Sequence, residues 1–198
     1  MGLLVLVLGL ILFLGAHAFT TLRGQRAAVI KAIGELPYKG VYAVVAVAGL
    51  YLIGKGFGMY YSAGPIDVWY PPRWTRHITE TLMLPAFILV AAAYLRGRIT
   101  LWVKNPMVEG VKTWAVAHLL TNGDLGGMIL FGTVLAWAVY AGISLKHRTD
   151  PSGLQIPQGG LTNDIAAVIV GLTLYGAFFF PFHTFVIGRP LLATAFGT

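Results

Sequence analysis

The chain has 198 residues, 57% of them hydrophobic and 11% charged, with a mean hydropathy of +0.76 and a formal net charge of +7. A soluble domain carries about 25% charged residues, so this composition excludes an ordinary soluble enzyme and intrinsic disorder. Cysteine is absent, which excludes disulfides, thiolate zinc or iron–sulfur sites, thioether-linked haem and a cysteine nucleophile.

The composition implies an all-α, polytopic transmembrane helix bundle in contact with the lipid bilayer. Each span needs about 20 mostly apolar residues. The first runs over Leu3–Leu22 and carries His17. Ala16-His17-Ala18 resembles a cleavage site, but the basic residues follow the apolar run, as in a retained helix with its N-terminus outside. The stretch Gly24–Leu36 is too charged to span and reads as a short interfacial helix. Further spans follow at Val41–Met59, His77–Leu95, Met107–Thr121, Leu125–Leu145 and Asn163–Ile187, the fourth being short. About six spans result. They form one membrane domain over residues 1–198, in which the sixth span is joined through a loose, flexible loop at Pro151–Gly160. Spacings such as Gly54/Gly58 suit close helix contact.

The charge reads as topology rather than nucleic-acid binding. Arg23, Arg26, Lys31 and Lys39 follow span one, Arg96, Arg98 and Lys104 follow span three, and Lys146 and Arg148 follow span five. By the positive-inside rule these loops face the cytoplasm and both termini lie outside. The aromatic residues Tyr60, Tyr61, Trp69, Tyr70, Trp74 and Trp102 read as interfacial anchors.

Polar side chains within spans are expensive and usually functional. Of the five histidines, His17 and His118 lie well inside apolar runs. A rise of about 1.5 Å per residue puts His17 roughly 22 Å from the outer edge and His118 roughly 16 Å from the inner one. Two such imidazoles could serve as axial ligands of a non-covalent haem b, or simply join helices by hydrogen bonds. Thr21 and Asn122, each four residues after a histidine, and Trp114, four before His118, are candidates to orient the rings. His77 and His183 form a competing pair near the outer surface, with Glu80 one turn after His77.

Several ordered motifs carry a resemblance. They are Leu12-Phe-Leu-Gly-Ala-His17, Trp69-Tyr-Pro-Pro-Arg-Trp74, Met83-Leu-Pro-Ala-Phe-Ile-Leu89, Asn105-Pro-Met107, Trp114-Ala-Val-Ala-His-Leu-Leu-Thr-Asn-Gly-Asp124 and Leu130-Phe-Gly-Thr-Val-Leu-Ala-Trp137. Together they resemble the NnrU family, which includes the 15-cis-ζ-carotene isomerases, over a core of about residues 3–148. The resemblance implies a multi-pass protein, here of the bacterial inner membrane, with haem b held by His17 and His118. It further implies either isomerisation of a lipophilic polyene or a haem redox or nitric-oxide-responsive role in denitrification. A haem-free scaffold or transporter is the third reading. Asn105 stands where the family often has histidine, and no thiolate ligand is available.

Overall fold

The computed structural model describes residues 1–147, 159–179 and 185. Lipid offers backbone N–H and C=O groups no partner but each other, so the apolar runs become helices. These are α1 (Gly2–Phe19), α2 (Arg23–Ile33), α3 (Glu35–Ser62), α4 (Thr75–Tyr94), α5 (Arg98–Val103), α6 (Pro106–Leu119), α7 (Leu125–Lys146) and α8 (Gly160–Ala177). No strand occurs among the described residues. A single isolated antiparallel bridge joins Asp67 and Asp124.

Five helices, α1, α3, α4, α7 and α8, are long and apolar enough to cross a membrane. The sequence suggested six. The difference is α6, whose 14 residues rise only about 21 Å against a hydrocarbon core of about 30 Å. The interfacial helix expected after span one is α2, which buries none of its residues. The loop at residues 151–158 and His183 lie outside the described residues.

The chain divides into two compact units, Met1–Arg76 with His118–Arg148 and His77–Ala117 with Thr149–Thr198. In the first unit, α1 and α3 run antiparallel along a seam where a small residue on one helix meets a large one on the other. Gly2 faces Tyr60, Leu6 faces Gly56, Gly9 faces Ile53 and Phe13 faces Gly49. A Cβ on Gly9 would sit 2.6 Å from the Ile53 nitrogen, and one on Gly49 2.7 Å from that of Phe13. The backbones are therefore in direct contact, which only glycine permits. Gly54 and Gly58, the spacing picked out in the sequence, have nothing within 4 Å. The contact glycines are seven residues apart, not four.

Helix α7 runs parallel to α1. Its start meets the end of α3 at Tyr60 and Gly126, and its last third meets the end of α1 where the Thr21 and Tyr140 hydroxyls are 3.0 Å apart. One end of this unit thus gathers the start of α1, the end of α3 and the start of α7. The other end gathers the basic α1–α2–α3 connection.

In the second unit, α4 and α6 are antiparallel. The Thr79 hydroxyl donates to the Ala117 carbonyl at 2.7 Å, and Gly110 packs on Ala86 and Val90. Helix α8 is built into this unit rather than loosely attached. Its Asp164 carboxylate accepts the Ile99 N–H at 3.0 Å, completing the first turn of α5 behind Gly97, which has no side chain to cap it. Asn163 donates to the Arg96 carbonyl at 3.0 Å.

Candidate functional site

His17 lies two residues before the end of α1. Its Nδ1 is 2.7 Å from the Phe13 carbonyl oxygen. A carbonyl can only accept, so Nδ1 carries the proton and Nε2 keeps its lone pair. A hydrogen bond from one ring nitrogen to a backbone carbonyl is the arrangement that orients a histidine ligand and raises its basicity. Around the ring stand Phe13 at 4.3 Å, Tyr42 at 5.5 Å and Trp137 edge-on at 5.5 Å, between ring centroids. Helix α1 supplies His17 and Phe13, α3 supplies Tyr42, and α7 supplies Trp137.

Two polar atoms of this unit are buried and make no hydrogen bond, Trp137 Nε1 within the cluster and the Tyr38 hydroxyl on α3. Tyr38 is only 8% exposed and precedes Tyr42 by one helical turn. Each unpaired group costs about 1–3 kcal/mol. The Arg26 guanidinium of α2 sits over the Tyr38 ring, 5.6 Å from its centroid.

His118 is placed differently. It is one residue from the end of α6, stacked on Phe131 at 4.6 Å. Phe131 and Trp137 are six residues apart on α7, which is about 9 Å along the axis and about 120° around it. The two histidines thus touch α7 at different points, His17 at Trp137 and His118 at Phe131.

Two of the expected ring-orienting residues, Thr21 and Asn122, donate to backbone carbonyls. The Thr21 hydroxyl donates to the Ala18 carbonyl, and Asn122 Nδ2 donates to the backbone carbonyl of His118 at 2.8 Å. Trp114 stays on α6 one turn before His118 and is half-buried.

What surrounds His118 is a saturated fastening. Asn122 closes α6, and Gly123 approaches Trp69 so closely that a Cβ would collide with the Trp69 carbonyl oxygen. The Gly123 carbonyl accepts the N–H groups of Val68 and Trp69. Asp124 is 6% exposed, caps α7 by accepting the Gly127 N–H at 2.8 Å, and accepts the Tyr61 hydroxyl. Tyr60 is buried and its hydroxyl accepts the Ile66 N–H at 2.8 Å. Asp124 is thus a buried cap of α7. Tyr60 and Tyr61 are clasp residues rather than free interfacial anchors.

In the second unit, His77 is exposed, with Nδ1 3.5 Å from Glu80 Oε2. The other Glu80 oxygen is buried without a hydrogen bond. His183, the expected partner of His77, lies outside the described residues.

A family model described as NnrU protein matches residues 5–191. The chain belongs to the NnrU family. No curated protein and no solved structure matches it. The NnrU match extends well past residue 148, where the motifs quoted above stop, and so takes in α8. It also gives the Asn122-Gly-Asp124 element a physical reading, since these residues fasten the α6–α7 turn to the segment at Ile66–Trp69.

Proposed function

We propose that this NnrU protein binds haem b non-covalently in a bacterial inner membrane, with His17 as the iron ligand and the basic α1–α2–α3 end toward the cytoplasm. The observation that carries this reading is the hydrogen bond from His17 Nδ1 to the Phe13 carbonyl, which leaves Nε2 free for a metal. The donor set fits the group. A neutral imidazole among Phe13, Tyr42 and Trp137 suits iron in a flat apolar macrocycle, and the unpaired Trp137 N–H and Tyr38 hydroxyl offer hydrogen bonds to its polar edge. When bound, haem supplies redox chemistry and an exchangeable coordination position that this chain's side chains lack.

Within that reading, the protein acts on a lipophilic polyene by cis–trans isomerisation. His17 fixes the cofactor, and the aromatic side chains around it exclude water. His118, which touches α7 about 9 Å from the His17 contact, is not required as a second ligand.

The test is an oxidised and reduced absorption spectrum of the protein purified in mild detergent from haem-replete cells. The expected result is a Soret band that His17→Ala abolishes and His118→Ala retains. A colourless wild type overturns the reading, and loss of haem only in His118→Ala overturns the ligand assignment. Added 15-cis-ζ-carotene is expected to be converted by the reduced holoprotein. If it is not, a haem redox or nitric-oxide-responsive role in nitrogen-oxide metabolism replaces isomerisation.

A further inference from the structure

The described residues hold three buried polar side-chain atoms without a hydrogen-bond partner, among them Trp137 Nε1, whose ring meets His17, and the Tyr38 hydroxyl. Tyr38 is buried to more than nine-tenths. It lies on α3 one turn, about 5 Å, from Tyr42, which touches the His17 ring. Above it the Arg26 guanidinium faces the ring, not a carboxylate. The nearest acidic residue in sequence is Glu35, which is engaged by Lys39 at 2.8 Å and also feels the Arg26 charge. Asp67 and Asp124 belong to the opposite end of the unit, where their backbones meet in the bridge. A buried hydroxyl without an acceptor, beneath a guanidinium and at an end that also carries Arg23, Lys31, Lys39 and Lys146, suits an anion.

We propose that Arg26 and Tyr38 form the anion-binding end of the His17 site and take a carboxylate of the ligand that His17 holds. This rests on the haem reading above and names a propionate as the group bound. Arg26 supplies the charge and the Tyr38 hydroxyl donates to one carboxylate oxygen. Hydrogen bonds to an ionised acceptor are about twice as strong as neutral ones, and a guanidinium can hold the same carboxylate in a bidentate manner. The Trp137 N–H, a donor only, points to a second acceptor on the same ligand.

The experiment titrates apoprotein in detergent with haem and with haem dimethyl ester, whose propionates carry no charge, following the Soret band. Wild type is expected to bind haem roughly tenfold or more tightly than the ester, the range expected for hydrogen bonds to a charged group. Tyr38→Phe and Arg26→Gln should each reduce that preference, and the double variant should abolish it with a smaller loss for the ester, whose carbonyl accepts only neutral hydrogen bonds. Equal affinity of wild type for haem and ester, or equal losses for both in the variants, overturns the anion site while leaving His17 ligation standing. A wild type that binds neither overturns both readings. The same titration in phosphatidylcholine nanodiscs, with and without phosphatidylglycerol, distinguishes the other source of an anion. Competition by phosphatidylglycerol that vanishes in the double variant, with haem and ester bound alike, assigns the site to a lipid headgroup and overturns the propionate.

Discussion

The two ends of the first unit use the same kinds of residue to opposite effect. At the His118 end, Tyr61 donates to Asp124, Asp124 accepts the Gly127 N–H, Asn122 donates to the His118 carbonyl and the Tyr60 hydroxyl accepts the Ile66 N–H. At the His17 end, Tyr38 and Trp137 bury a hydroxyl and an indole N–H with no partner. A saturated polar network rigidifies a structure. An unsaturated one costs stability and persists where something else completes it. The lesson is that the Trp114–Asp124 motif ends in the clasp, whereas His17, Tyr38 and Trp137 all lie outside it.

The contrast can be broken most forcefully at Gly123. A side chain there meets the Trp69 carbonyl oxygen head-on, so Gly123→Val must open the turn. It should lower the apoprotein melting temperature in detergent by more than any other change considered, with a loss of about 3 kcal/mol or more. An unchanged melting curve would show that the clasp carries no stability. Next comes Asp124→Ala, which removes the α7 cap and leaves the Tyr61 hydroxyl without its acceptor. A cost of about 2–3 kcal/mol is expected from the two terms together.

Tyr61→Phe sharpens the comparison, because it leaves a buried carboxylate short of one donor and should cost about 1–2 kcal/mol. The matching change at the other end, Tyr38→Phe, removes a hydroxyl that already lacks a partner. It should leave the apoprotein as stable or slightly more so, within about 0.5 kcal/mol. If both phenylalanine variants destabilise equally, the two ends do not differ as described. The smallest pair of effects lies on α3, where Gly54→Ala should be silent while Gly56→Ala, driven into Leu6, should lower the melting temperature by several degrees.

The fold was legible wherever lipid dictates it. Runs of apolar side chains leave the backbone no choice but helix, so the full-length spans and the charged α2 were readable from residue type. The candidate site was half legible. His17 stood out because an imidazole in an apolar run is rare. Phe13, Tyr42, Trp137, Tyr38 and Arg26 did not, since aromatic residues in a membrane sequence read equally well as packing or interfacial anchors. The i, i+4 spacing of Tyr38 and Tyr42 was the available signal, but nothing in it points to α1.

By itself, then, the sequence determined a multi-pass helical NnrU protein with basic connections and few side chains able to hold iron. Three matters were decided only by tertiary structure. Helix α6 ends one residue after His118 and is too short to span. Gly49 and Gly56, not Gly54 and Gly58, face α1, because helix rotation is set by which side chains interlock across the seam. The Tyr38 hydroxyl is buried without a hydrogen-bond partner, on a ring over which α2 sets the Arg26 guanidinium. Hydropathy depends on residue type and is local. Register, rotation and hydrogen-bond satisfaction depend on what the neighbouring helix presents, and one strand of text does not contain that.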